Sequence, residues 1–553
     1  GVVLPKLIGN FIDDLTDGTL DATGILKYAG WIVLIAVFVA LSRYYWRIYI
    51  MGTARKAEVY VRDRFYSHLQ TLSPNFFNHN KTGDLMAHAT NDLNAIRMAL
   101  GPGFLSAIDP ACVLTFTIIM MVYTVGPKLT FISLAPFPLL AIMVTLFGRV
   151  IHKRFGIVQA AFGSLSDRVQ ENFAGMRVVK SFVQEDAEIN KFTAENTANY
   201  QSNLKLARVN AIYNPMVQFI STLSFLIALS YGGILVIHGE ISFGDFAAFN
   251  TYLGLMTWPM MAVGWVINMW QRGAASMERL NNILFTKPEI YDTDTVQTDK
   301  KKLEGAVEFR NLTFTYPKTN TPVLKGIDIR IPSGKTVALI GRTGSGKSTL
   351  MNLLLRMYNP ERGQLFLDGV DILDVPLATL REEIGYVPQE NFLFSKTISD
   401  NIGFSGQGYP QDQIEAAAAL AQVHDNIVDF PHGYKTMLGE RGVTLSGGQK
   451  QRVSIARAVI KNPKILILDD SLSAVDTHTE EEILRGLKTI MKNRTSLIIA
   501  HRISTIKDAD EILVLDEGEI IERGTHEQLL EQGGQYYELF QKQLLEEKIA
   551  ANE

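Results

Sequence analysis

At 553 residues the chain is too long for one domain, and about three or four folding units are expected. Hydrophobic residues make up 47% and charged residues 20%, which excludes a disordered, collagen-like or coiled-coil protein. The net charge of -4, from 53 basic and 57 acidic residues, offers nucleic acid no general attraction, and the single cysteine, Cys112, excludes an intrachain disulfide or a cysteine-built zinc site.

Apolar residues concentrate before residue 285. The opening Gly1–Phe11 is too short to cross a bilayer, its Pro5 is expected to kink it, and it reads as the tail of a helix whose start is absent. Five stretches are long enough to cross, at about 20 apolar residues each: Tyr28–Ile50, Phe104–Val125, Leu129–Val150, Pro215–Val236 and Phe246–Trp270. Loop charge orients them. Segment 12–27 carries Asp13, Asp14, Asp17 and Asp21, whereas 51–103 and 151–214 are rich in Lys and Arg. The positive-inside rule puts those two long segments in the cytosol. They are too long for structureless loops, and Leu165, Val169 and Phe173 recur at helical spacing. Each is expected to be a pair of helical arms with a turn at the bottom, near Pro74–Asp84 and near Ser181–Asp186, where Phe77 and Phe182 need something to pack against.

After a polar linker, assigned to residues 286–304, the chain turns to alternating strands and helices. Thr336–Ile340 is an apolar strand, and Gly341-Arg342-Thr343-Gly344-Ser345-Gly346-Lys347-Ser348 follows at once, with a helix expected from Thr349. Glycines in such a loop turn backbone N–H groups around phosphate oxygens at a helix N-terminus. Lys347 then reaches the β/γ-phosphates and the Ser348 hydroxyl ligates Mg²⁺. Downstream, Lys464–Leu468 is a continuous apolar run, as a buried parallel strand requires, and it ends in Asp469-Asp470 at the edge where such sheets bind ligands. Asp469 is the candidate for the Mg²⁺ shell and Asp470 for the group that orients water. Two adjacent acids without a phosphate loop before them would read as a turn.

The third element is Leu445-Ser446-Gly447-Gly448-Gln449. With the phosphate loop and the Asp-ended strand in the same order and spacing, the chain resembles an ATP-binding cassette (ABC) exporter half-transporter along essentially all of its length. The resemblance implies an α-helical transmembrane domain over 1–285, of six helices with the first truncated, followed by an α/β P-loop ATP-binding cassette over 305–545 and a tail over 546–553. It implies ATP and Mg²⁺ as cofactors, Tyr316 as the aromatic on adenine, Gln389 as a sensor of Mg²⁺ and water, and His501 as a γ-phosphate contact. Gly341–Thr349 would cradle the phosphates. Leu445–Gln449 would face a partner subunit's ATP, Ser473–Asp476 would cross between cassettes, and Gly439–Gly442 would touch the cytosolic turns. A cytoplasmic-membrane location with the cassette in the cytosol also follows.

The chain departs from the family pattern at Asp470, where such exporters usually have Glu. One methylene fewer withdraws the carboxylate by about an ångström, and misplacement on that scale can cost about a hundredfold in rate. Slow hydrolysis beside an intact Leu445–Gln449 resembles the degenerate-site subunit of a bacterial heterodimeric multidrug exporter. The alternatives are a homodimer that works with Asp470, a lipid flippase, and an ATP-gated channel or regulator. For cargo, Trp258, Met261 and Trp265 offer stacking and sulfur contacts to hydrophobic cations; for any one of them, packing against neighbouring helices or lipid is the commoner role. Asp109 lies within a span, at a cost of about 3 kcal/mol if central, and so should face a cavity or a partner.

Overall fold

The computed structural model describes residues 2–293, 296, 302–406, 408–439, 442, 445–470 and 477–550. Glu440, Arg441 and the crossing loop at 471–476 therefore lie outside the described residues, as do 294–295 and 297–301 of the linker and 551–553. The chain divides into two compact units, Gly1–Gln70 with Thr82–Thr286, and Thr71–Lys81 with Lys287–Glu553. The second unit thus takes in the first cytosolic turn, which the expected division at residue 285 assigned to the membrane domain.

The first unit is helical throughout. Helix Leu4–Thr16 has Pro5 in its first turn, where a missing N–H costs nothing; it starts the helix and does not kink it. Helix Ala22–Leu69 runs for 48 residues, its N-terminus capped by the Asp21 carboxylate on Gly24 N–H. Thr82–Val125 follows, interrupted by wide π turns at His88–Asp92 and Ala99–Gly103. The second of these contains Pro102, whose absent donor a regular helix would miss. Gly126, at φ +83°, turns the chain into Pro127–Ala174, and Glu185–Ile237 packs along that helix. Among the described residues, four helices are long and apolar enough to cross a membrane: Ala22–Leu69, Thr82–Val125, Pro127–Ala174 and Glu185–Ile237. The expected fifth, Phe246–Trp270, lies in the continuous helix Phe243–Leu284, but Asn250, Thr251, Tyr252, Thr257 and Pro259 dilute its apolar run.

The opening and last helices cross backbone to backbone. A Cβ on Gly244 would lie 1.9 Å from the Gly9 carbonyl oxygen. Asp13 accepts from Ser242 Oγ and Gly244 N–H, at the N-terminus of Phe243–Leu284, and Lys6 pairs with Asp245. Met121, Leu140, Phe249, Tyr252 and Met256 are buried between the helices. Large apolar side chains such as Val33, Phe38, Phe116, Ile119 and Leu139 are exposed on outward faces, as a hydrocarbon solvent allows.

The second unit carries two sheets. The strands are β1 (Val307–Phe314), β2 (Leu324–Ile331), β3 (Thr336–Gly341), β4 (Leu365–Leu367), β5 (Val370–Asp371), β6 (Ile384–Val387), β7 (Ile465–Asp469), β8 (Thr495–Ile499), β9 (Glu511–Asp516) and β10 (Glu519–Gly524). An antiparallel sheet runs β2-β1-β4-β5, and the larger one runs β10-β9-β3-β8-β7-β6, parallel except at β10. Every residue of β7 and β8 is buried; β7 is an unbroken apolar run up to Asp469, and β8 opens on the buried Thr495 and Ser496 before its apolar half. The phosphate loop follows β3, Gln389 follows β6, Asp470 follows β7 and His501 follows β8, all at the carboxyl edge of one sheet.

The first cytosolic turn, Pro74–His79, is tied inside this unit. Ser73 Oγ and Asn75 Nδ2 donate to the Glu289 carboxylate at 2.9 Å, and Asn78 Nδ2 donates to the Tyr358 hydroxyl at 3.0 Å. In the first unit, the other turn ends helix Met176–Ser181 with Phe182 71% and Val183 80% exposed.

Candidate active site

The phosphate loop is shaped by close backbone approach. Gly341 sits at φ +155°, where a Cβ would meet the Leu515 carbonyl oxygen at 2.0 Å; Gly346 sits at φ +100°, with Leu324 2.7 Å from a Cβ. Neither position admits a side chain. The loop feeds helix Lys347–Leu354, two residues ahead of the expected start. Ser345, Lys347 and Thr349 are buried. The Lys347 ammonium donates to the carbonyls of Gly341 and Arg342, each at 2.8 Å. Burial pulls its pKa down, opposed by the nearby charges of Asp469 and Asp470.

Opposite lies Asp469, 4% exposed. Burial pushes its carboxyl pKa up, although Ser348 Oγ donates to it at 3.4 Å. A carboxylate and a hydroxyl suit a hard, oxygen-seeking ion, so Ser348 and Asp469 fit Mg²⁺, which when bound would neutralise phosphate charge. Gln389 and His501 are exposed and border the same cleft of about 270 Å³, along with Thr343, Gly344 and Asp470. The structure therefore brings Lys347, Ser348, Asp469, Asp470, Gln389 and His501 together around one space. Charge-bearing donors on one wall face carboxylates on the other, an arrangement that can hold a polyphosphate and a cation together.

Tyr316 is half-buried beside this cleft. Its hydroxyl shares a hydrogen bond of 3.0 Å with Thr349 Oγ1, and its ring meets Tyr358 edge-on at 5.0 Å. Ser446 and Gly447 point elsewhere. Ser446 caps helix Gly447–Val459 through Gln449 N–H, while the Gln449 side chain returns to Ser446 N–H. Leu445 is buried, but Ser446 and Gly447 are exposed, outside the cleft that their own chain builds. In the first unit, Trp258 and Trp265 are 63% and 50% exposed, and Met261 and Asp109 are half-buried.

Sequence reasoning passed over three residues that shape this cleft or the turn beside it. Gln451 Nε2 donates to the Asp470 carbonyl at 3.3 Å; Glu289 and Tyr358 hold the first turn. Their partners lie far off in the chain, and no local pattern marks them.

Comparison with known proteins agrees along the whole chain. Residues 1–260 match the family model of the ABC transporter transmembrane region and 324–473 that of the ABC transporter. The "Probable multidrug resistance ABC transporter ATP-binding/permease protein YheI" of Bacillus subtilis (strain 168) is 42% identical over 541 residues, covering 98% of this chain and 92% of that protein. The "ATP-dependent lipid A-core flippase" of Syntrophus aciditrophicus (strain SB) is 38% identical, covering 94% and 86%. Among solved structures, a bacterial Atm1-family ABC exporter with ATP bound superposes with a TM-score of 0.78 at 28% identity, covering 98% of this chain and 97% of that one.

Proposed function

Because this chain belongs to the ABC transporters, with their transmembrane region and cassette in one polypeptide, we propose that it is the slow-site half of a two-chain exporter for hydrophobic or amphipathic drugs. It is a membrane protein with a cytosolic cassette, an ATPase whose hydrolysis is coupled to transport. In this reading Lys347 holds the β/γ-phosphates, Ser348, Asp469 and Gln389 surround Mg²⁺, and His501 contacts the γ-phosphate. Tyr316 receives adenine, and Leu445–Gln449 completes the partner's site.

The observation that carries the slow site is the backbone of Asp470. It is left-handed at φ +45°. Its N–H donates to the Ile499 carbonyl at 2.9 Å, and its carbonyl accepts from Gln451. Held from both sides, residue 470 cannot advance to replace the methylene that Asp lacks relative to Glu. Two exposed features support a second subunit: the Ser446–Gly447 face and the Phe182–Val183 turn. Drug cargo is favoured by relatives named for multidrug resistance at 42% and 38% identity over nearly the whole chain. A lipid is the second reading, favoured by the flippase relative.

The test is the subunit composition of the complex captured from its native membrane by a tag on this chain. A second, distinct chain carrying Glu at the position of Asp470 is expected; two copies of this chain alone would overturn the pairing. In the captured complex, Asp470→Glu should accelerate hydrolysis at this chain's own site by up to about a hundredfold.

A further inference from the structure

The C-terminal helix, Gln535–Ala550, lies against the cassette core through one face. Tyr536 is fully buried and hydrogen-bonded to His526 at 2.7 Å, and Leu539 and Phe540 pack on the same cluster. Continuing that face by one turn, at i+7 from Tyr536, an apolar residue would extend the seam. Gln543 stands there instead. Its amide is used at both ends: Nε2 donates to the His501 carbonyl at 2.6 Å, and Oε1 accepts from Ile503 N–H at 2.9 Å. The two bonds bracket Arg502 and fix the backbone on both sides of it. Ala500 and Ile503 are buried, whereas His501 is exposed at the cleft. The imidazole therefore projects from a short bend that this side chain holds at two points, between Ala500, tied to the Leu339 carbonyl, and the turn that starts at Arg502.

We propose that Gln543 is a positioning residue for His501, so that the C-terminal helix sets how the histidine meets the γ-phosphate at this chain's ATP site. The inference rests on the reading of His501 as that contact. Without the clamp, the loop keeps its buried flanks and loses the fixed direction of His501. Nucleotide binding, which the phosphate loop carries, should remain, while the transition-state arrangement should suffer.

The experiment uses the full complex in lipid and vanadate-trapped photolabelling of this chain by 8-azido-ATP, with labelling in the cold without vanadate as the measure of binding. His501→Ala should lose trapping. Gln543→Ala should lose trapping about tenfold or more while binding stays within about twofold. Gln543→Glu, which keeps the acceptor for Ile503 and drops the donor to His501, should also lose trapping. Phe540→Ala loosens the same helix without touching the loop, and it should lower Tm while trapping per folded protein persists. Full trapping in Gln543→Ala, with loss in His501→Ala, overturns the inference alone. Loss in Phe540→Ala equal to that in Gln543→Ala reduces the clamp to a stability effect and overturns it as well. Full trapping in His501→Ala removes the reading of His501, and the inference falls with it.

Discussion

The two cytosolic turns look alike in sequence, each a helical break carrying an exposed phenylalanine, yet they end differently. The first is spoken for within the chain. Ser73 and Asn75, 5% and 7% exposed, give their hydrogens to Glu289, and Asn78 reaches Tyr358. The second leaves Phe182 and Val183 almost bare. The same division runs through the cassette: Lys347 and Asp469 are buried in their own cleft, while Ser446 and Gly447 face outward. Groups satisfied inside the chain bear on its stability, and groups left outward are the ones a partner could reach, as the proposed function requires.

That contrast can be broken most forcefully at Glu289. Glu289→Ala leaves two buried donors without an acceptor, at roughly 1–3 kcal/mol for each such group. Denaturant unfolding should move to a lower midpoint, and transport should fall further than ATP hydrolysis. An unchanged midpoint would show that the first turn is no better anchored than the second.

Asp469 sharpens the comparison from the cleft side, because burial of its charged form works against stability. Its carboxyl pKa is raised above the ordinary value of 3.8 by burial. The stability tied to its proton is present below that ordinary value and is lost as pH rises through the raised one. Asp469→Asn should therefore melt higher than the parent at neutral pH without nucleotide, with the gap narrowing as pH falls. Hydrolysis should drop beyond the roughly 10–100-fold typical of disturbing a metal's outer shell.

Phe182→Ala is the mildest for the chain itself. An exposed residue should change stability by no more than about 0.5 kcal/mol. The assembled complex should nonetheless couple less hydrolysis to transport, measured as substrate moved per ATP in proteoliposomes. Equal coupling would leave the second turn without a role.

What the sequence disclosed depended on range. The phosphate loop, the β7 strand with Asp469 and the Leu445–Gln449 cap are each built from neighbours within a few residues, so spacing alone exposes them. The continuity of β7 was legible because burial on both faces leaves it no polar position before Asp469. Glu289 and Gln543 were not legible, since their partners lie 214–216 and 40–42 residues away, and a lone Glu or Gln carries no pattern. The helix at Phe246–Trp270 was legible from its length and aromatic residues, although Asn250, Thr251 and Pro259 leave it less apolar than the other four. Pro5 was misjudged because its effect depends on position in the helix, which only the first turn reveals.

The length of helix Ala22–Leu69 has a mechanical side. Its 48 residues span about 72 Å at about 1.5 Å each, more than twice a hydrocarbon layer of about 30 Å. Such a rod is a lever with its fulcrum in the bilayer and its long arm in the cytosol. A tilt of about 5° displaces a point about 40 Å from the fulcrum by roughly 3.5 Å and one about 10 Å away by less than about 1 Å. Large strokes at the cytosolic end thus become small, forceful adjustments among the spans, a gearing that suits moving bulky cargo without opening a continuous pore.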